Sequence, residues 1–175
     1  MHGRERGRGW RRCAAVASAL LALAPAAMRA GDDASNVRLV HNSQRFAVAR
    51  ALDGAARMLA HPECQALLDD FTDASGRPLR AALEASGRSA PEYLRWIFFY
   101  DAPPRLCGTS VLAVTRPASR ANLVCGSRFV GQMRSNSRHA EAILIHEALH
   151  SLGLGENPPS TDEITRRIRA GCGRP

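Results

Sequence analysis

The 175-residue chain contains no lysine: all 24 of its basic residues are arginine. Aromatic residues make up only 5% of it, and no internal repeat is visible. No apolar run is long enough to favour a membrane-spanning helix; the longest, `CAAVASALLALAPAAM`, is short and rich in alanine. The missing lysine is a habit of composition and excludes nothing. The other absences matter more. They argue against a membrane span and against a repeat array, and the length is that of one domain.

What is present begins with a basic stretch, `MHGRERGRGWRR`, followed by that alanine-rich run and by `RA` before Gly31. This is the layout of a secretory signal peptide, so residues 1–30 are expected to be removed and residues 31–175 to form a single domain. Cleavage is expected after Ala30, with Ala26 or Ala27 as alternatives. Removal of six arginines and Glu5 leaves 18 arginines against 15 acidic residues, and the net charge falls from +8 to +3. Those arginines are scattered, with no dense run and no interleaved aromatic platform. Nucleic acid is therefore not an expected partner. The mature chain is expected to be a monomer, secreted or periplasmic.

Four cysteines remain, Cys64, Cys107, Cys125 and Cys172, an even number suited to an oxidising compartment. Three pairings are possible. Cys107 and Cys125 flank a candidate strand pair, which favours Cys107–Cys125 and leaves Cys64–Cys172.

Periodicity predicts an α+β chain, with helices first, a small sheet in the middle, then two more helices. Residues 31–42 are polar and read as a loose tail. `SQRFAVARALDGAARMLA` has apolar residues at helical spacing, weakened modestly by Gly54. `PECQALLDDF` and `PLRAALEASG` read as shorter helices, the second closed by Gly87. `YLRWIFFY` (93–100) is dense in aromatic and β-branched residues and reads as a strand or a buried segment. `TSVLAVT` and `ANLVC` read as strands joined by `RPASR`. `SNS` offers caps for a helix from near Ser137 to Leu152. `STDEITRRIRA` reads as a last helix, with Ser160 and Glu163 at capping-box spacing.

The penultimate helix carries the first part of `HEALHSLGLGE` (146–156), which runs on past its end. Successive helical residues are about 100° apart, so His146 and His150 project within about 40° of each other, one turn apart. Their imidazoles can reach one cation at the roughly 2.0–2.1 Å that zinc prefers. Glu147 sits beside them, near enough to hold a water without ligating. Gly153 lets the chain leave the helix with a positive φ, and Glu156 can swing back as a third ligand. Leu144, Ile145, Ala148, Leu149 and Leu152 fill the opposite arc and are expected to pack on the core. Glu141 falls inside that arc, a misfit.

The same eleven residues resemble the signature of the metzincin metallopeptidases, `HExxHxxGxxH`, with Glu156 where that family has its third histidine. The resemblance implies a minimal zincin-like domain with Zn2+ as cofactor. It makes His146, His150 and Glu156 the ligands, Glu147 the general base, and a peptide or protein the substrate. The chain departs from the family in one respect: residues 157–175 contain no methionine, where metzincins carry a methionine-containing turn. Two other third ligands are open. Glu163 stands on the following helix, as a glutamate does in gluzincins, and Cys125 lies upstream, as a cysteine does in peptide deformylase. His139, two turns before His146, could bind substrate or protonate a leaving group, or be an ordinary surface histidine. Tyr93 and Tyr100 could stabilise an oxyanion. The reading is a zinc metalloendopeptidase in which a strand of the middle sheet pairs with the peptide. The alternative is a catalytically silent zincin-fold binding or structural module.

Overall fold

The computed structural model describes residues 36–173; the expected signal segment lies outside them. The fold is α+β. Helix α1 (Asn42–Leu59) is followed by the short helices α2 (Pro62–Gln65), α3 (Leu67–Asp70), α4 (Leu79–Ala85) and α5 (Ala90–Trp96). The sheet holds β1 (Val37–Arg38), β2 (Phe98–Asp101), β3 (Ala113–Thr115) and β4 (Ala121–Val124). Helices α6 (Gly126–Ser135), α7 (Ser137–Ser151) and α8 (Thr161–Cys172) complete the chain. Spatial order in the sheet is β1-β2-β4-β3. β1, β2 and β4 run parallel, and β3 pairs antiparallel to β4 on the outer edge.

Of the apolar stripe expected on helix α1, Val48, Leu52, Ala55, Ala56 and Leu59 are buried, Ala49 is half-buried and Phe46 is exposed; Ala51 and Met58 are buried as well, and the helix packs on α5, α6 and α7. Two sequence misfits meet at this contact. A Cβ on Gly54 would collide with the side chain of Glu141, so glycine lets α1 and α7 approach closely around that carboxylate. Glu141 is only 8% exposed, with Arg138 Nη1 4.0 Å from its Oε2.

Several elements differ from expectation. The polar tail contains β1: Val37 and Leu39 are buried, and Asn36 Nδ2 donates to the Ile97 carbonyl at 2.7 Å. The first half of `YLRWIFFY` is the end of helix α5, and only Phe98–Asp101 are strand. The helix wins because Ser89 and Glu92 form a capping box just before it: the Ser89 N–H donates to Glu92 Oε2 at 2.9 Å. The helix expected over `PECQALLDDF` is present as two segments meeting at Ala66. `GSRFVGQM` is helix α6, with Phe129 fully buried. Of the strand expected over 109–115, only three residues pair; Ser110–Leu112 instead run along a cleft.

Both favoured disulfides are present. Cys64–Cys172 ties α2 to the end of α8, and Cys107–Cys125 closes the segment that carries β3 and β4. Two disulfides fit an oxidising compartment. No helix among the described residues is long and apolar enough to cross a membrane.

Candidate metal centre

Helix α7 starts at Asn136, whose Oδ1 accepts from the His139 N–H at 3.0 Å. It ends in a Schellman turn, in which the Gly153 N–H donates to the His150 carbonyl at 2.9 Å and the Leu154 N–H to the Leu149 carbonyl at 3.1 Å. Gly153 has φ +113°, a conformation that strains any residue with a side chain. Leu149 and Leu154 are buried on either side of the turn. The turn has a chemical consequence, because it sets the Leu154 carbonyl 2.7 Å from His150 Nδ1. A carbonyl can only accept, so His150 Nδ1 donates to it, and Nε2 is the ring nitrogen turned toward the other candidate ligands.

One turn earlier, His146 Nδ1 lies 3.1 Å from Thr165 Oγ1 on α8, and its Nε2 is 2.9 Å from His150 Nε2. Glu156 returns from the turn with Oε1 3.6 Å from His146 Nε2 and 3.4 Å from His150 Nε2. The Thr161 hydroxyl donates to the same Oε1 at 2.7 Å. Among the described residues this is the one group of three such side chains whose ligand atoms converge, all within 4.8 Å of one another. Tetrahedral ligands about 2.0–2.1 Å from an ion stand roughly 3.3 Å apart, close to these separations. His146, His150 and Glu156 could therefore hold a metal ion.

The local electrostatics suit that role. Burial, and then the neighbouring His150, press His146 down to about 4 against the pull of Glu156. It is neutral near pH 7, as a ligating imidazole must be. Burial raises the Glu156 carboxyl, but the Thr161 hydroxyl and the two imidazoles outweigh it and hold the group below its ordinary range.

Glu147 is 5% exposed and faces the same cleft. Burial pushes its carboxyl up to about 7; the nearby Thr115 hydroxyl works against this, and the charge on Glu156 adds to it. Thr115 acts by proximity, since the two groups fall short of a well-formed hydrogen bond. Glu147 Oε2, Thr115 Oγ1 and both side-chain polar atoms of Asn122 have no hydrogen-bond partner among the described residues. Asn122 is the cross-strand partner of Thr115 and is fully buried.

The cleft has a volume of 480 Å³. Edge strand β3 forms one wall, α7 the floor, and residues Glu156–Asp162 the other wall. The β3–β4 turn is anchored to the floor, for the Ala118 N–H donates to the His150 carbonyl at 2.9 Å.

Of the candidate third ligands, the structure brings only Glu156 to the imidazoles. The Glu163 N–H donates to Ser160 Oγ at 3.3 Å, which caps α8, and its carboxylate is not in the converging group. Cys125 is bonded to Cys107. Tyr93 lies behind α7, where its hydroxyl donates to the Ser151 carbonyl at 3.1 Å, and neither it nor Tyr100 lines the cleft. His139 is half-buried in a separate groove; burial, and then the charge of Arg169, lower its pKa.

Sequence reasoning missed the residues that orient the ligands: Thr161, Thr165 and the Leu154 carbonyl. The last had a signal, a glycine flanked by Leu149 and Leu154 at Schellman spacing. Thr165 had a weaker one, its place beside the buried Ile164 and Ile168 on an amphipathic helix. No protein-family model, curated protein or solved structure shows significant similarity to this chain.

Proposed function

We propose that this chain is an exported, monomeric zinc metallopeptidase of minimal, metzincin-like type that hydrolyses peptide bonds. One observation carries the reading. Three ligand atoms from `HEALHSLGLGE` converge, each on a side chain held by its own hydrogen bond, with a buried carboxylate next to them in an open cleft.

Two imidazoles and one carboxylate are a donor set that suits zinc and leaves room for further ligands. Zinc, when bound, supplies a Lewis acid that polarises a carbonyl and makes water a stronger acid. The chain's own residues do the rest. Glu147 accepts a proton from the attacking water as its oxygen bonds to the scissile carbon, and returns that proton to the amine as the C–N bond breaks. Its free Oε2 gives it capacity for this exchange. β3, at the sheet edge, has an outer side open to pairing with an extended peptide. The ring nitrogens turned away from the ligand position are fixed by Thr165 and the Leu154 carbonyl, and Thr161 holds the Glu156 carboxylate at Oε1, which keeps the ligands pre-oriented.

A second reading, a binding module that keeps the metal and not the chemistry, has one observation in its favour. Burial moves Glu147 to about 7, and a protonated carboxyl is no base. A divalent cation beside it would favour the ionised form again. Metal analysis of the purified mature chain, with a broad peptide-library digest, separates the two. The peptidase reading expects about one zinc per chain and cleavage that Glu147→Gln abolishes while zinc is retained. Zinc without cleavage in the wild type would establish the second reading, and full cleavage by Glu147→Gln would remove the mechanism.

A further inference from the structure

A second concavity, of 610 Å³, lies between α7 and α8 and is lined by His139, Asp162, Thr165, Arg166, Arg169 and Ala170. It is separate from the metal cleft and adjoins it through two residues. Asp162 borders both cavities, and Thr165, which lines this one, hydrogen-bonds the ligand His146. Helical geometry explains why they adjoin. His139, Ile143, His146 and His150 recur at three- and four-residue intervals along one face of α7, and Asp162, Thr165, Arg166 and Arg169 do the same on α8.

The charges in this groove are arranged along its length. Arg166 and Arg169 are exposed on the wall of this groove and, like most of the described arginines, form no ion pair among the described residues. Asp162 stands at the junction with the metal cleft, and the two guanidinium groups lie beyond it. An anionic group is therefore repelled at the junction and attracted one to two helical turns further on. Guanidinium groups suit carboxylates because their planar donors can engage both oxygens.

We infer that the α7–α8 groove receives a carboxylate of the peptide substrate, held by Arg166 and Arg169 beside the metal centre. The inference rests on the peptidase reading for the ligand being a peptide. The carboxylate belongs either to an acidic side chain or to the peptide's C-terminus, and the experiment separates the two.

Three labelled decapeptides are compared by fluorescence anisotropy at low salt, on the mature chain carrying Glu147→Gln so that they stay intact. One has two central glutamates and an amidated C-terminus. The second has glutamines there and the amide. The third has the glutamines and a free C-terminal carboxylate. Either carboxylate peptide should bind about tenfold tighter than the neutral amide, with the preference falling as salt screens it. The first peptide reports a side-chain carboxylate, the third a C-terminal one. Arg166→Gln with Arg169→Gln should abolish the preference; Arg57→Gln with Arg105→Gln, an equal charge change outside both cavities, should leave it intact. Equal binding of all three peptides overturns the inference. So does a preference that survives loss of Arg166 and Arg169, or one lost equally in the control pair. Wild-type cleavage is scored separately. An arginine-dependent preference without any cleavage keeps the groove and removes the peptidase reading; cleavage with no preference does the reverse.

Discussion

The two walls of the cleft are built on opposite terms. On the ligand wall, the side chains that could hold a metal are each tied by a hydrogen bond: His146 to Thr165, His150 to the Leu154 carbonyl, Glu156 to Thr161. On the sheet wall, Thr115 is buried beside Glu147, and its Oγ1 and Glu147 Oε2 lack partners among the described residues, as do the side-chain polar atoms of Asn122 behind it in the sheet. One wall has its polar capacity committed to holding geometry. The other keeps it uncommitted beside the candidate metal position. Pre-organised ligands opposite uncommitted polar groups are what hydrolysis at a metal needs, and each wall can be tested separately.

The largest effect is expected on the ligand wall. His146→Ala or His150→Ala should abolish stoichiometric zinc, and Glu156→Ala should weaken it by orders of magnitude, because loss of one of three ligands leaves a poor site. Glu163→Ala should keep zinc. Glu147→Gln should keep zinc too and lose cleavage by about 10²–10⁴-fold, the usual contribution of a general base. Elemental analysis and peptide turnover read all five variants. Zinc loss in Glu147→Gln would break the comparison, since Glu147 would then belong to the ligand wall.

This asymmetry also explains what could be read from the sequence. The ligand wall is local: His146, His150, Gly153 and Glu156 span eleven residues, and helical geometry with one glycine turn fixes their relation. The sheet wall is not local. Thr115 lies beside Glu147 and opposite the buried Asn122 only because β3 pairs with β4 in a given register, and no periodicity in `SVLAVT` or `ANLVC` specifies that. The same division runs through the fold. Helices α1, α7 and α8 were legible because each carries a long apolar stripe or clear caps. β1 was not, being two residues whose pairing partner, β2, lies about sixty positions away. Helix α6 was obscured because only Gly126 and Phe129 are fully buried along its ten residues. Helix α5 had a readable signal in `SAPE`, a capping box with proline in the first turn, that was outweighed by the aromatic density after it. Gly54 and Glu141 each looked anomalous alone, because the explanation is their contact.

Next in size are the disulfides, one for each wall. Cys64–Cys172 holds the end of α8 and encloses a separation of 108 residues; Cys107–Cys125 holds the segment carrying β3 and encloses 18. Loop-closure entropy gives about 4.7 kcal/mol for the longer loop and about 3 kcal/mol for the shorter. Cys64→Ala with Cys172→Ala should therefore destabilise more in denaturant unfolding, and should also lower zinc affinity by loosening α8 beneath Thr165. Cys107→Ala with Cys125→Ala should cost less and leave zinc nearly unchanged. Zinc weakened equally by both pairs would mean that the walls are not independent.

A smaller effect is expected from the hydrogen bond behind His146. Thr165→Val keeps the shape and removes the hydroxyl that fixes the ring. Loss of such an outer partner typically weakens metal binding about 10–100-fold. Competition with a chromophoric chelator measures this directly, and Thr165→Ser should restore most of the affinity. A valine variant indistinguishable from wild type would show that packing alone orients His146.

The smallest effect should come from the same substitution on the opposite wall. Thr115→Val is nearly isosteric, in a strand where β-branched residues are favoured. Its Oγ1 is buried and has no partner among the described residues, so the change breaks no bond within the protein. Exchanging an unsatisfied buried hydroxyl for a methyl group removes a desolvation penalty and is neutral or stabilising by about 1 kcal/mol. Zinc affinity should stay within about twofold of wild type, since Thr115 touches no ligand. Thr165→Val and Thr115→Val thus each delete one threonine hydroxyl, the first behind a candidate ligand and the second on the sheet wall, with a loss of zinc affinity expected only for the first. Chelator competition and thermal unfolding on the two variants together are the sharpest form of the comparison. If Thr115→Val instead loses zinc to the extent that Thr165→Val does, the sheet wall is part of the metal's hydrogen-bond shell, and the division drawn between the walls is wrong.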